Sequence, residues 1–368
     1  MTVNFLDLLT ISNTTELNGT VDLADLEALY SPRAPATPPY VAIPRNPSWL
    51  QFEESSNDFS HGGETILTGG GAGLTAADPG SAGANVIAAI GQRLPSLAPQ
   101  AQPNLVQATG DLSADGAVAD LTSAQSELAS LSANAHDAVG ADEISQGSDE
   151  ENGSFAQVFG DTHYAYTDGG ADVIVTDSSN GSLLASDAYQ VPDNPQYPWL
   201  VQELSANRSP VVVVVTSDPA YDPHPNGTNQ FSDRWEAQMY LQLVQEYQQS
   251  HPATHVVMLY GQSAGFAEQI LDPGGQQVSP GAGIPQLTFA DLGTPADAPA
   301  SQGGFYQFGL QHVTSQGDLQ YTVEPVLSAI NVSAPEPTLA AGATETVTAT
   351  GTNVGGGITA TTSLTVTG

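Results

Sequence analysis

The sequence predicts a layered α/β domain followed by a short all-β segment. Three observations carry that prediction. Strand-like and helix-like segments alternate from about residue 60 to 325. A run of five valines, Val211 to Val215, lies between Pro210 and a polar turn, the pattern of a strand covered on both faces. In 344–350 and 359–367 threonine and valine alternate with period two, with glycine-rich turns between them.

The elements follow in order. Residues 21–29 (VDLADLEAL) space Leu23, Leu26 and Leu29 along one side of a helix. A proline-rich stretch between Ser31 and Trp49 reads as extended chain lying across the domain surface. Residues 65–68 begin a short strand that runs into a glycine-rich turn, and 85–94 read as a helix. A strand is expected at 104–109. The helix at 117–132 aligns Leu121, Ala124, Leu128 and Leu131 on one stripe. Asp149, Glu150 and Glu151 mark a solvated loop. Residues 164–166 and 171–176 pair about the turn Asp168-Gly169. A helix at 197–206, the valine strand, a long helix at 231–247 and a strand at 254–259 complete the alternation. The segment from Val326 is all-β, with too few residues for a whole immunoglobulin-like sandwich. It therefore either takes strands from the N-terminal region or is part of a larger domain. The expected divisions are 1–59, 60–328 and 329–368.

Charge narrows the function. The 368 residues include 40 acids and five arginines, no lysine and no cysteine, for a formal net charge of −35. Such a surface repels nucleic acid and anionic lipid, which excludes both as partners. Without cysteine there is no disulfide, thiolate chemistry or thiolate-bound zinc. The start has neither a basic region nor a long apolar core and does not read as a signal peptide, and no run is long enough to span a membrane. The acidic, Gly/Ser/Thr/Ala-rich composition points to an extracellular or cell-surface protein.

Four motifs appear in a fixed order: ATGDLSADG at 108–116, GADE at 140–143, VVVVVTSDPAYD at 211–222 and LYGQSAG at 259–265. FGDTHYAY at 159–166 and VIVTDSSNG at 173–181 fall between them. The set resembles the calcineurin-like metallophosphoesterases, in particular the bacterial secreted type with an immunoglobulin-like tail. The resemblance implies a four-layer α/β/β/α sandwich with two metal ions at the carboxyl ends of the strands, where a metal-bound hydroxide attacks a phosphate ester.

Motif by motif, the ligands such a site needs are mostly replaced. The first-strand Asp-x-His would fall at Gly69 to Gly71. Gly-Asp survives as Gly110-Asp111. Gly-Asn-His-Glu reads Gly140, Ala141, Asp142 and Glu143. Ser217 stands where a histidine ends the central strand, ahead of Asp218. Gly-His-x-His reads Gly261, Gln262, Ser263 and Ala264. The resemblance therefore implies a remnant pocket of Asp111, Asp142, Glu143, Ser217, Asp218 and Gln262. It holds no cofactor, or a weakly bound calcium or magnesium ion between Asp111, Asp142 and Asp218. His163, His224, His251 and His255 read as structural or exposed residues, and the three tryptophans as core. The expected protein is non-catalytic, structural or binding, on a degenerate phosphoesterase scaffold. Its expected contacts are self-association or a neighbouring β domain through the C-terminal strands. The alternative is a metal-dependent phosphoesterase with a reduced or altered site.

Overall fold

The computed structural model describes residues 16–18, 46–144, 153–168, 170–184, 196–223, 229–261, 265–289, 292, 306–326, 329–333, 344–352 and 359–367. In chain order the elements are β1 (Glu16–Asn18), β2 (Leu50–Phe52), β3 (Gly63–Gly69), α1 (Ala82–Arg93), β4 (Leu105–Ala108), α2 (Val118–Leu131), β5 (Ala135–Asp137), α3 (Ser154–Val158), β6 (Tyr164–Asp168) and β7 (Ala171–Thr176). They continue with α4 (Gln196–Ala206), β8 (Val211–Thr216), α5 (Arg234–Ser250), β9 (His255–Tyr260), β10 (Ala267–Leu271), β11 (Ile284–Thr288), β12 (Gln307–Thr314), β13 (Leu319–Pro325), β14 (Ala329–Ser333), β15 (Thr344–Thr352) and β16 (Thr359–Thr367).

Two six-stranded mixed sheets form the body. One has the order β2-β13-β12-β3-β4-β5, the other β10-β11-β9-β8-β7-β6. The valine strand β8 lies inside the second sheet, parallel to β7 and β9. Its alternation explains the unbroken apolar run. Val211, Val213 and Val215 face the first sheet and share a core with Val313, Leu319 and Tyr321. Val212 and Val214 face outward, onto Leu200 and Leu204 of α4 and Tyr240, Leu241 and Val244 of α5. A strand covered by apolar layers on both faces favours apolar side chains along its length. On the opposite side, Val86, Ile87 and Ile90 of α1 and Ala124 and Leu128 of α2 cover Leu67, Val106, Phe308 and Leu310 of the first sheet. The result is the four-layer α/β/β/α sandwich.

Two helices, α1 and α5, start where a side chain satisfies a free N–H group. Ser81 Oγ accepts from the Ala84 N–H at α1, and Asp233 Oδ1 from the Trp235 N–H at α5. The cap at Asp233 corrects the expected start at residue 231. Phe231 precedes the helix and stacks on Tyr240, 5.4 Å between ring centroids. The other expected helices and strands of the alternating region shift by a few residues at their ends at most.

Three expectations need amendment. Strands β2, β5 and β10 to β13 were not legible as separate elements, although they make up half of the two sheets. The sheet also reaches back across the division expected at residue 60, because β2 pairs in parallel with β13, Leu50 opposite Leu319. Trp235 is not core: it is 66% exposed on α5. The expected helix at 21–29 and the acidic loop at 149–151 lie outside the described residues.

The tail forms its own sheet, in the order β1-β16-β15-β14. β14, β15 and β16 are antiparallel neighbours. β1 comes from the N-terminal region and joins β16 in parallel, with Glu16 opposite Thr365 and Asn18 opposite Thr367.

Leu259 is fully buried between the two sheets. Leu259→Ala should lower unfolding stability by about 2–5 kcal/mol, whereas exposed Trp235→Ala should change it by less than about 0.5 kcal/mol. Urea denaturation followed by circular dichroism measures both.

Candidate functional site

The loops after β3, β4, β5, β8 and β9 meet at one end of the sandwich. Glu143 organises them. Its side chain is fully buried. Oε2 accepts from the backbone N–H groups of Asp111 at 2.7 Å and Gly140 at 2.9 Å, and Oε1 accepts from the Ser113 N–H at 2.8 Å. One carboxylate thus ties the loop after β4 to the loop after β5. Asp111 sits in the left-handed region at φ 55°, a costly conformation for a residue with a Cβ. Its N–H is held by Glu143, and its Oδ1 accepts from the Asp142 N–H at 2.9 Å.

Glycines let these loops touch. The segment after β3 runs along the segment after β4, backbone to backbone: the Gly71 N–H donates to Gly110 O at 2.9 Å, Ala72 to Asp111 O at 2.8 Å and Leu74 to Leu112 O at 2.7 Å. A Cβ at Gly70 would lie 2.5 Å from Thr109 Oγ1 and 2.8 Å from Gly110 O. A Cβ at Gly261 would collide with the same Thr109 side chain. One at Gly110 would lie 2.8 Å from Ser217 Oγ. The centre of the strand ends is therefore filled by Thr109 and Ser217. Their hydroxyls are buried and have no hydrogen-bond partner among the described residues.

Burial decides the electrostatics. It raises both Asp111 and Glu143, and Asp111 is pushed further by the charge of Glu143. The three N–H bonds stabilise the ionised form of Glu143 and oppose its rise. Burial, reinforced by Asp222, pushes Asp218 up to about 7. Ser178 Oγ accepts from the Asp218 N–H at 2.8 Å. Asp137, the last residue of β5, is raised well above the carboxylate range by burial and then by Glu143.

The expected pocket residues are brought to this end of the fold in part. Asp111, Glu143, Ser217 and Asp218 are buried there, and Asp142 is exposed at its rim. Gln262 lies outside the described residues, as does His224. A pair of metal ions, as the resemblance implies, does not fit these residues. Among the described residues no three His, Asp or Glu side chains converge as metal ligands. Glu143 spends its oxygens on backbone N–H groups, and the first-motif position is a glycine zipped to the neighbouring loop. His251 caps the end of α5, His255 opens β9 and stacks on Trp49, and His163 packs edge-on against Trp199. Sequence reasoning missed Thr109 and Asp137. The signal for Thr109 was the set of glycines at the strand ends, which marks a side chain that needs room. Asp137 had no signal, because a single acid in a three-residue strand has no pattern.

No protein-family model matches the sequence, and neither does any curated protein. Two of the solved structures that match are described as GAP50, the anchor in the inner membrane complex of Plasmodium, and PhoD. The first is 12% identical with a TM-score of 0.46, and covers 72% of this chain and 84% of the other. The second is 9% identical with a TM-score of 0.46, and covers 80% of this chain and 70% of the other.

Two outcomes test the geometry. Gly140→Ala puts a methyl group 2.5 Å from the Asp111 N and should destabilise by about 2 kcal/mol or more, while exposed Gly80→Ala should be near neutral. Thermal unfolding of the two variants compares them. The second concerns pH. Asp218 holds its proton more tightly when folded, up to about 7 against an ordinary 3.8. Its contribution is therefore complete below about pH 4 and is lost as pH rises through about 7. Unfolding free energy measured from pH 4 to 8 should fall across that window, and fall less in Asp218→Asn.

Proposed function

We propose that this chain is a non-catalytic structural or binding protein on a phosphoesterase-like frame, working outside the cell or at its surface. The observation that supports this reading is the Glu143 clamp with Thr109 packed beside it. In a two-metal site the strand-end carboxylates and imidazoles point at a shared cation. Here the buried Glu143 carboxylate accepts from backbone N–H groups, and the Thr109 side chain lies against Gly70 and Gly261 at the strand ends. The frame is kept while the donors are turned inward.

The acidic surface suits an environment rich in screening cations. The tail sheet ends at β14 on one side, and that edge is suited to pairing with a strand of a neighbouring β domain or a second copy. The alternative, a phosphoesterase with one hard cation on Asp111, Asp142 and Asp218, draws on the three acids lying at one end of the fold.

The test is elemental analysis of the purified chain, with hydrolysis of an aryl phosphodiester in added manganese. The expected result is less than about one bound metal per chain and no turnover. Turnover that Asp111→Ala abolishes would overturn the reading in favour of the metal-dependent alternative.

A further inference from the structure

The tail sheet has two unlike faces. Alternate residues of a strand take opposite faces, and residues paired across strands share one. The register sets Val347 opposite Leu364, Ala349 opposite Thr362, Gly351 opposite Ala360 and Glu345 opposite Val366. Ile330 and Val332 of β14 fall opposite Gly351 and Ala349, and Leu17 of β1 falls opposite Val366. One face therefore collects Leu17, Ile330, Val332, Val347, Leu364 and Val366, with alanines between them. The other face is mostly threonine, with Ser333, Ser363 and Asn331.

A sheet with one apolar face is stable when a second layer covers it. Among the described residues the strands of this sheet pack with one another, and no helix or strand of the sandwich packs on them. A contiguous apolar face of this kind marks an interaction surface.

We propose that the tail sheet is a homodimer interface, in which the apolar faces of two copies meet as the two layers of one β-sandwich. This names the partner of the tail and rests on the reading of the tail as the associating part of the chain. Charge selects a second copy. Each chain carries −35, so two copies repel wherever acids are dense. The residues from Val326 onward hold two of the 40 acids, Glu336 and Glu345, and no arginine. Here two copies approach at the least electrostatic cost. A basic partner would be drawn to the acidic sandwich instead.

A two-fold contact uses the same patch on both copies. Glu345 lies towards one end of the apolar face, across from Val366, while Val347 and Leu364 lie nearer its centre. A two-fold axis running across the strands sends the two Glu345 residues to opposite ends. With strands ~4.8 Å apart and ~3.3 Å per residue, the four strands span about 400 Å² in plan, so two copies cover about 800 Å² or more. That is the low end of specific interfaces and suits a reversible dimer.

Sedimentation equilibrium of the full chain, from about 5 to about 500 µM in about 0.15 M and about 1 M NaCl, tests this. The expected result is a monomer–dimer equilibrium with Kd of about 100 µM or tighter, and at least about threefold tighter in the higher salt, which screens the repulsion. Val347→Thr combined with Leu364→Thr keeps strand-forming residues while removing apolar surface, and should weaken the dimer at least about tenfold. Thr348→Gln, on the opposite face, should leave it unchanged. The chain has no cysteine, so one introduced thiol reports which face is in contact. A short bis-maleimide should join Val347→Cys or Leu364→Cys into a covalent dimer, but not Thr348→Cys or Ser363→Cys. This decides the matter if the threonine variant loses its circular dichroism spectrum. Metal content and phosphodiester turnover are separate readouts, so failure here is distinguishable from failure of the non-catalytic reading. A monomer at every concentration, as when the N-terminal residues or a separate β domain cover the face, would overturn the proposal. So would a dimer weakened by salt, or equal cross-linking from both faces.

Discussion

The Glu143 carboxylate is the interaction on which this end of the molecule depends. A buried anion is tolerated only when its lone pairs are satisfied, and three backbone N–H groups do that here. Those donors come from two loops on neighbouring strands. Each loop thereby gains a fixed position, and the left-handed conformation of Asp111 becomes supportable. The same bonds favour the ionised form of Glu143, whose charge pushes Asp111 further up. Backbone geometry, acid–base state and the glycine requirement at position 140 all follow from one side chain.

The sandwich beneath has a different economy. Its two sheets and the helices that flank them are joined by apolar contact, with little help from charge: among the described residues the salt bridge is Arg93 with Glu324. That bridge links the end of α1 to β13, and the Arg93 guanidinium also lies 6.0 Å from the Phe308 ring centre. Two buried acids, Glu143 and Glu236, are satisfied by neutral donors instead. Glu236 on α5 accepts from Ser182 Oγ, the Leu183 N–H and the Tyr197 hydroxyl, which fastens the segment after β7 to two helices. A chain with five arginines and no lysine must solve buried charge in this way.

What was legible in the sequence was what periodicity writes. β7 and β8 were read to the residue, and α2, α4 and β9 to within one residue at either end, because their apolar spacing is strong. β10 to β13 were not legible as elements. Gln307 to Thr314 mixes glutamine, histidine and threonine with apolar residues, yet every residue of it is buried. Two of its polar side chains find partners across strands, Gln311 with Thr68 at 2.6 Å and His312 with Thr65 at 2.9 Å. Such pairings join residues more than 240 positions apart and leave no local trace. At the site, motif spacing placed Asp111, Glu143, Ser217 and Asp218. It could not show that Glu143 would face inward, since that depends on which way two loops turn their N–H groups.

The parallel pairing of β1 with β16 bears on how the tail responds to force. The chain enters β1 at Glu16, beside Thr365, and leaves β16 beyond Thr367, beside Asn18. Tension along the polypeptide from these two exits pulls the strands past each other lengthwise. The hydrogen bonds of the pair then share the strain together and yield in one event, whereas a pair peeled from one end gives way bond by bond. The short first strand is thus a shear clasp. While it is closed it shields the antiparallel β14–β15–β16 ribbon from tension, and when it slips the pull passes to that ribbon.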